Sequence, residues 1–337
     1  MISIILIHYN AQDLLIKAIQ SVLECGGIDK SQLEFIIIDN SQNFDEETIK
    51  DFNLNYDYQS PGYNSGFARA VNCGLKRAKG DYILLMNQDA WLVENQTLLN
   101  FIKKSNELPE KTVIGCSIQN ERGEAMQSVW LDEPGIKREW RFGAFHQKFN
   151  PTWKETIGKQ LKAAHSKNDF VPQIGGAFLL FRKPNPIDEI LFDKDFFLYG
   201  EDVEWGIRIK KKGWRFYHFA EIKVKHIGSA SSFNQEQKQK QIIVSDWLAM
   251  RKTKGKLYLS VLLSLTLFNK LLDALLLSTS GRIKQVKPEI REYTLYRNRI
   301  YFSCMKLFAF ALVFKSNFSS DHSFFINLYH DQQNQSP

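Results

Sequence analysis

Two acidic clusters in the sequence carry side chains suited to catalysis. The first, Asn87–Asp89, follows a buried apolar run, and a carboxylate there suits a hard divalent cation such as Mg²⁺ or Mn²⁺. The second, Glu201–Glu204, opens a predicted helix after the apolar segment Phe196–Tyr199. Partly dry surroundings raise the pKa of a carboxyl group, which favours Asp202 as a general base. Acids at a helix start also complement the helix dipole, so a structural role stays open.

Polar residues follow each of the first three apolar runs of the chain. They are His8–Asn10, then Asp39 and Asn40, then Asn87–Asp89. In open parallel α/β sheets, ligands bind beyond the carboxyl ends of the strands. The sequence therefore predicts a ligand site at this edge. His226 ends a later predicted strand, where a histidine on its own is more often structural than a ligand.

The elements that position these residues alternate between strand and helix. Short apolar runs predict strands at Ile2–Ile7, Leu33–Ile38 and Tyr82–Met86, and helices are predicted at Asp13–Glu24, Asp45–Phe52 and Gly66–Ala78. Runs that are apolar on both faces indicate a mostly parallel sheet covered by helices on both sides. No GxGxxG follows the first strand and no GxxxxGK[ST] occurs, which argues against a dehydrogenase or a P-loop kinase.

Residues 100–168 show a looser pattern, with Trp130, Trp140 and Trp153 among charges, and predict an aromatic-lined connection or lid. A regular pattern resumes with the apolar segment Phe170–Phe181, followed by a predicted helix at Asp202–Lys212 and a predicted extended stretch at Arg215–His226. A polar, Gln- and Lys-rich segment follows. It divides the chain into a catalytic domain, residues 1–240, and a basic helical extension, residues 241–337.

The net charge of +7 lies entirely near the end of the chain. Residues 246–337 hold 13 Lys and Arg against 6 Asp and Glu, whereas residues 1–245 hold 31 of each. The longest uncharged run of Leu257–Leu277 has 13 residues, short of the roughly 20 that span a bilayer.

On a helical wheel this segment has one apolar face, formed by Val261, Leu265, Phe268, Leu272 and Leu276. Tyr301–Phe314 is a second short apolar segment. Residues 257–314 therefore predict helices on an anionic membrane surface; packing on the main domain or on a second subunit is the alternative.

The four cysteines form no CxxC pair, which predicts reduced thiols and a cytoplasmic protein. The apolar start of the chain is too short and lacks the basic flank of a signal peptide. With the basic end, these features predict a peripheral protein on the inner face of the cell membrane.

Taken in order, these residues resemble glycosyltransferase family 2, in particular its rhamnosyltransferase-like branch. The resemblance covers residues 1–232 and rests on Ile5–Asn10, Asp39–Asn40, Asn64–Asn72, Gly80–Asp89, Gly175–Arg182, Phe196–Arg208, Gly213–Trp214 and Lys225–Ser231. It implies a GT-A fold, and the inverting transfer of a sugar from a nucleotide diphosphate donor to an acceptor hydroxyl. The first expectation for the donor is dTDP-rhamnose, and for the acceptor a lipid-linked glycan or polysaccharide.

The resemblance also implies roles for individual residues. Asp202 matches the general base, and Asp89 matches the last acid of the metal-binding DxD motif, with His226 as a further ligand of Mg²⁺ or Mn²⁺. The first acid of that motif is Asn87 here. Donor-side residues are Tyr9, Asn10, Asp39, Asn64, Gly66, Phe67, Asn72 and Asn87; acceptor-side residues are Gly176, Glu201 and Trp205.

Other classes of function stay open at this point. The same fold could serve as a non-catalytic nucleotide-sugar-binding scaffold, or use another donor such as a UDP-hexose. A nucleotidyltransferase would need a Gly-rich basic loop near the first strand, which residues 9–15 do not provide. A nucleic-acid binder is disfavoured because the basic end is rich in Leu. A homo-oligomer is compatible with all of these.

Overall fold

The computed structural model describes residues 1–142, 152–228, 235–278, 292 and 294–305. These group into two compact units. The first comprises residues 1–131, 160–197 and 205–232; the second comprises residues 132–159, 198–204 and the chain from 233 onward. The last segment of the second unit begins at residue 233, whereas its other two segments lie within residues 1–240.

The first unit is built on a mixed sheet whose first half is parallel. Strands β1 (Ile2–His8), β2 (Leu33–Asp39), β3 (Tyr56–Gln59) and β4 (Tyr82–Asn87) lie in the order β3-β2-β1-β4. Every residue of β1 and β2 is buried, so both faces of this half are covered. This confirms the predicted parallel sheet.

Helices α1 (Gln12–Glu24) and α2 (Phe67–Arg77) and the 3₁₀ turn Glu46–Phe52 connect these strands, close to the predicted positions. Asp45 begins the 3₁₀ turn by accepting a hydrogen bond from the backbone N–H of Glu47. Two glycines with positive φ, Gly26 and Gly27, follow α1 and allow the chain to turn back towards β2.

The second half of the sheet contains β5 (Ala90–Leu92), β6 (Thr112–Gln119), β11 (Phe178–Arg182) and β12 (Arg215–His226). It continues in the order β4-β11-β6-β12-β5. Strand β11 runs antiparallel to β4 and to β6, while β12 runs parallel to β6. Helix α3 (Thr97–Glu107) precedes β6.

The prediction of a connection or lid at residues 100–168 was wrong for its first part, because β6 is a central strand. The short strand β7 (Ala125–Met126) pairs with β6, and the short strand β9 (Asp169–Val171) pairs with β12. A separate two-stranded ribbon joins β8 (Val129–Trp130) to β10 (Gln173–Ile174).

The second unit is helical where it is described. It contains α4 (Ile136–Phe142), α7 (Gln235–Lys254), α8 (Lys256–Ser278) and a helical stretch at residues 294–305. Helix α5 (Trp153–His165) begins in this unit and ends in the first, as does α6 (Glu201–Lys210). The helical character predicted for the C-terminal part is therefore confirmed for its described residues.

Candidate active site

The carboxyl ends of the central parallel strands lie side by side. In the strand register His8 pairs with Asp39, and Ile7 pairs with Asn87. The polar residues that follow β1, β2 and β4 therefore meet at one edge of the sheet, as the sequence predicted. Ligands of open α/β sheets bind at this edge.

The first loop at this edge is held by Gln88. Its side-chain Oε1 accepts a hydrogen bond from the backbone N–H of Tyr9 at 2.9 Å, and its Nε2 donates to the carbonyl of Tyr9 at 2.9 Å. Asn10, which has a positive φ of 49°, accepts a hydrogen bond from Asn43 through its side chain at 2.9 Å. The predicted donor-side residues Tyr9 and Asn10 are thus held in place by side-chain amides on neighbouring loops.

Asp39 organises the loop after β2. The buried carboxylate accepts hydrogen bonds from the backbone N–H groups of Ser41, Gln42 and Phe44 and from the hydroxyl groups of Ser41 and Tyr58, at 2.8–3.1 Å. Burial by itself raises the pKa of Asp39, but these hydrogen bonds outweigh it and the pKa lies below its usual value. Burial and the bond to Asp39 raise the pKa of Tyr58 to about 12. A nucleoside contact of Asp39 stays a prediction.

A second side-chain clamp shapes the loop before α2. Asn40 donates to the carbonyl of Gly66 at 3.2 Å and accepts from the hydroxyl of Ser65 at 2.8 Å, and Asn64 accepts from the Gly66 N–H at 3.0 Å. Gly66 has a φ of +78°, and a Cβ at this position would lie 2.6 Å from the carbonyl oxygen of Phe197. Only glycine fits such a position without displacing its neighbour.

The remaining predicted donor-side residues of α2 bind the protein's own backbone. The Phe67 N–H donates to the carbonyl of Phe197 at 2.7 Å. Asn72 accepts from the Phe192 N–H at 2.7 Å and donates to the Phe192 carbonyl at 2.8 Å. Both polar atoms of the Asn72 side chain are therefore used in joining α2 to the segment after β11.

The acid of the first cluster lies beside the predicted histidine. Asp89 Oδ1 is 3.1 Å from Nε2 of His226, and the amide nitrogen of Asn87 is 3.3 Å from the same ring nitrogen. The N–H of Gly228 donates to Asp89 Oδ2 at 3.1 Å. Burial alone raises the pKa of Asp89, but the bond to His226, its charge and the Gly228 N–H together lower it below the usual value. Asp89 is therefore an ionised acceptor at neutral pH.

The donor atoms at this point suit a divalent cation. The side-chain oxygen of Asn87 is buried and accepts no hydrogen bond from the described residues. The amide nitrogen of the same side chain lies 3.3 Å from the His226 ring nitrogen that also contacts Asp89. Carboxylate and amide oxygens suit Mg²⁺ or Mn²⁺. Within the described ranges, no group of three or more His, Cys, Asp or Glu is placed to hold a metal. A cation bound here would thus complete its shell from Asn87, water or a phosphate ligand.

The predicted acceptor-side residues fall at different places. Gly176 lies two residues before β11, next to Ala177, whose carbonyl accepts a hydrogen bond from the Asn87 N–H at 3.0 Å. Trp205 is 1% exposed, stacks on Phe192 at 4.7 Å and donates through its indole N–H to the carbonyl of Ile190. This position gives Trp205 a packing role in the core, where it has no surface to offer an acceptor.

The acids of the second cluster belong to the helical unit. Asp202 is partly exposed in the first turn of α6 and accepts a hydrogen bond from the Val203 N–H at 2.8 Å. Glu201 is buried, and burial together with the charge of Asp202 raises the pKa of Glu201 to about 8. The turn before them contains Tyr199 and Gly200, both with positive φ. For a non-glycine residue such as Tyr199 this conformation is strained, and such strain is often found at functional sites.

The sequence matches the profile of glycosyl transferase family 2 over residues 3–184, which is more than half of the chain. The chain belongs to glycosyl transferase family 2. It is accordingly a nucleotide-sugar-dependent glycosyltransferase, and its mixed sheet with flanking helices is the GT-A fold. No curated protein matches the sequence closely enough to serve as a relative.

Solved structures of glycosyltransferases share the fold. The mannosyltransferase PcManGT from Pyrobaculum calidifontis, in complex with GDP-Man and Mn²⁺, aligns with a TM-score of 0.58 at 14% identity, over 94% of this chain and 88% of that one. TarS residues 1–349 from S. aureus, in complex with UDP-GlcNAc, align with a TM-score of 0.51 at 14% identity, over 92% and 81%. GalNAc-T7 with UDP, GalNAc and Mn²⁺ gives 0.51 at 15% identity, over 93% of this chain and 57% of that one.

Three residues at this edge of the sheet, Gln88, Asn40 and Tyr58, were given no individual role from the sequence. Gln88 lies between the predicted site residues Asn87 and Asp89. Its hydrogen bonds to the backbone of Tyr9 cannot be predicted from a sequence pattern. Tyr58, on the edge strand β3, and Asn40 complete the same network. The one available signal was the run of polar residues at each strand end.

Proposed function

We propose that this glycosyltransferase transfers a sugar with inversion from a nucleotide diphosphate donor to a hydroxyl group of a glycan or lipid-linked acceptor. The observation that carries the proposal is the strand-end cluster of Asp89, His226 and Asn87, with the clamped loops at residues 9–10 and 64–66 beside it. The cluster contains a buried carboxylate with a lowered pKa, an imidazole, and an amide oxygen that has no partner among the described residues. These groups suit a divalent cation, and such a cation would bind the diphosphate of the donor.

The proposed chemistry assigns one role to each cluster. A divalent cation held by Asp89, His226 and Asn87 would neutralise the charge that develops on the departing diphosphate. Asp202 takes the proton from the acceptor hydroxyl as that oxygen attacks the anomeric carbon from the opposite face. A direct displacement needs one base, in contrast to the two carboxylates of a glycoside hydrolase.

The donor we propose first is dTDP-rhamnose, because the motif order resembles the rhamnosyltransferase-like branch and Asn87 replaces the first acid of DxD. A UDP-hexose is the alternative, since structural neighbours were solved with UDP-GlcNAc or with UDP and GalNAc. Those neighbours are below 25% identity, so they support the fold and do not select the sugar. A scaffold that binds a nucleotide sugar without transferring it is the remaining alternative.

A binding panel tests the donor site. We expect one of dTDP, UDP or GDP, or one of their sugars, to raise the melting temperature in the presence of Mn²⁺ or Mg²⁺, since a ligand of the folded state stabilises it by mass action. Asp89→Ala is expected to remove the metal-dependent part of the shift. Asp188→Ala, an exposed acid elsewhere in the same unit, is the matched control. No shift with any nucleotide, or an undiminished shift in Asp89→Ala, would contradict the proposed site.

We also propose that the protein is cytoplasmic and lies on the inner face of the cell membrane through α8. Among the described helices, one segment, Lys256–Leu275, is long and apolar enough to cross a membrane by length and composition. From the 13-residue uncharged run, the sequence predicted that this segment is too short to span a bilayer; by helix length and composition it is long enough. The large apolar residues Leu257, Val261, Phe268, Leu271 and Leu275 are 49–80% exposed.

The buried side of α8 carries three polar residues beside the apolar Leu259 and Leu262. Thr266, Asn269 and Lys270 are at most 8% exposed. Asn269 donates to the carbonyl and carboxylate oxygens of Glu139 at 3.2 and 3.1 Å, and the Lys270 ammonium lies 3.4 Å from an Asp273 oxygen. Polar groups satisfied inside and leucines outside are expected of a helix in contact with lipid. Of the predicted apolar face, Leu276 lies outside the described side chains. The second predicted segment, Tyr301–Phe314, is described only up to residue 305.

Vesicle flotation tests this contact. We expect the protein to float with vesicles containing anionic phosphatidylglycerol, and Phe268→Glu to weaken flotation because it places a charge in the apolar face. Gln20→Glu on α1 adds the same charge at an exposed position and serves as the control. Unchanged flotation of Phe268→Glu would contradict the membrane contact. A larger mass in solution for wild type than for Phe268→Glu, measured without lipid, would indicate a homo-oligomer instead.

A further inference from the structure

Trp130 is an aromatic residue of the first unit that the proposed chemistry does not use. It ends β8 and pairs with Gln173 of β10, and its side chain is partly exposed. A Cβ built on Gly175 would lie 3.0 Å from Cη2 and 3.1 Å from Cζ3 of the Trp130 ring. The far end of the ring therefore rests on the backbone of Gly175, where a side chain would displace it.

The backbone after Gly175 connects this ring to the strand-end cluster. Two residues further on, the carbonyl of Ala177 accepts a hydrogen bond from the Asn87 N–H at 3.0 Å. Two residues span at most about 7 Å. The tip of the Trp130 ring therefore lies close to the end of β4.

The chain before Trp130 contacts the same cluster at a second point. A Cβ built on Gly228 would lie 3.0 Å from Cε of Met126, and the Gly228 N–H donates to Asp89 at 3.1 Å. Four residues, the separation of Met126 and Trp130, span at most about 14 Å. The segment that carries Trp130 is therefore held beside the cluster at both of its ends.

The indole N–H of Trp130 is not used by the protein. It donates no hydrogen bond to any residue that the structure describes. In the core of the same unit, Trp205 donates to the carbonyl of Ile190 at 2.6 Å. Trp214 likewise donates to a carboxylate oxygen of Glu189 at 2.9 Å. A partly exposed indole with a spare donor offers a ligand both an apolar face and a hydrogen bond.

We propose that Trp130 binds the acceptor sugar by stacking, with its indole N–H donating to a hydroxyl group of that sugar. This rests on the proposed function, in which the diphosphate lies at the strand-end cluster and the nucleoside lies on the side of Asp39. A pyranose has an apolar face of C–H groups bordered by hydroxyl groups. The ring of Trp130 and its spare donor match these two features.

The position of Trp130 relative to the sheet favours the acceptor over the nucleoside. In the strand order β3-β2-β1-β4-β11, the loops of the proposed donor side follow β1 and β2. Gly175, on which the ring rests, lies on the other side of β4, where Phe178 at the start of β11 pairs with Met86. In an inverting transfer the acceptor approaches opposite the departing diphosphate. A residue across the cluster from the donor loops suits that approach.

The test measures release of nucleoside diphosphate from the nucleotide sugar that passes the binding panel. The acceptors are the octyl glycosides of glucose, galactose, rhamnose and N-acetylglucosamine. We expect Trp130→Ala to raise the KM for the acceptor by about tenfold, with a much smaller effect on the KM for the donor. Trp130→Phe keeps an aromatic face and loses the N–H, so its acceptor KM should lie between those of wild type and Trp130→Ala.

Phe170→Ala is the matched control, because Phe170 is an aromatic residue of the same unit with 40% of its surface exposed. It pairs with Tyr217 near the start of β12, whereas His226 is at the end of that strand. Both KM values of this variant should equal those of wild type.

Tryptophan fluorescence gives a readout that does not depend on turnover. A glycoside stacked on the indole of Trp130 should change the emission of wild type when the donor nucleotide is bound. The same glycoside should leave the emission of Trp130→Phe unchanged, since the stacked indole is missing. A purely structural role of Trp130 would not produce this difference.

The outcomes separate the two proposals. If wild type releases no nucleoside diphosphate from any donor of the panel, the proposed function fails and the acceptor role of Trp130 fails with it. If wild type is active, an acceptor KM of Trp130→Ala within about twofold of wild type overturns the acceptor role alone. An equal rise in the donor KM would place Trp130 on the nucleoside side and overturn it as well. So would an emission change that persists in Trp130→Phe, or a wild type that responds to none of the four glycosides in rate or emission.

Discussion

Replacing Asp202 with asparagine is expected to lower kcat by about 10²–10⁴-fold while the affinity for the nucleotide donor stays within about twofold of wild type. The asparagine keeps the oxygen that accepts the Val203 N–H at 2.8 Å, so the start of α6 is preserved. What it loses is the ability to take a proton from the acceptor hydroxyl. Initial rates of sugar transfer and nucleotide binding, measured on the same preparations, separate these two effects.

Asp188→Asn is the control for this prediction, because it makes the same change at an exposed acid outside both clusters. Its kcat should equal that of wild type. A loss in Asp202→Asn of less than about tenfold would mean that another group accepts the proton. A parallel loss of donor affinity would place Asp202 on the donor side, which would contradict its assignment as the base.

The largest effect on stability is expected from Asp39→Ala, at about 3–5 kcal/mol in the free energy of unfolding. The substitution leaves three backbone N–H groups and the hydroxyls of Ser41 and Tyr58 without their common acceptor in a buried place. Each stranded donor carries a desolvation cost, and the loop after β2 loses its organising centre. Urea unfolding monitored by tryptophan fluorescence measures the change.

A matched control is Asp57→Ala, on the neighbouring strand β3. Asp57 pairs with Arg77 at 2.6 Å, but both side chains are partly exposed, 26% and 39%. Exposed ion pairs contribute less than about 1 kcal/mol, so this variant should stay close to wild type. Equal stability of Asp39→Ala and Asp57→Ala would show that the hydrogen bonds to Asp39 do not hold the loop.

The Asp39 contribution also has a defined pH dependence. Its pKa is lowered on folding, so the folded state releases the proton more readily than the unfolded chain. The stabilisation is therefore present above the unfolded pKa, near 3.8, and is lost as pH falls through the lower folded value. Asp39→Ala should accordingly lose less stability than wild type on acidification below pH 4.

The sequence predicted the parallel half of the sheet and the position of its polar edge because hydrophobic burial determines both. Runs such as Leu33–Ile38 are too short for a helix and too apolar for a loop, and β12 was predicted with its observed limits. The same reasoning placed Asp89 and His226 at strand ends, and the structure brings them to 3.1 Å.

Burial patterns gave no such signal for β6 or for Trp205. Strand β6 contains Gly115, which weakens a strand pattern; in the structure a Cβ there would lie 2.4 Å from Ile174, so the glycine permits a close approach of β10. Trp205 adjoins the acids in sequence, yet its ring stacks on Phe192 in the core. Contacts between segments distant in sequence decide both cases, and local periodicity does not record them.

The amide of Gln88 binds position 9 only through that residue's backbone, at 2.9 Å on each side. These two hydrogen bonds do not involve the side chain of Tyr9, so they remain possible when this residue is exchanged. Position 9 can therefore change without loss of these bonds and without a change at Asp89, the acid that follows Gln88. Ligand preference at this edge and the geometry of the acid are thus separately adjustable, which would let one scaffold serve several substrates.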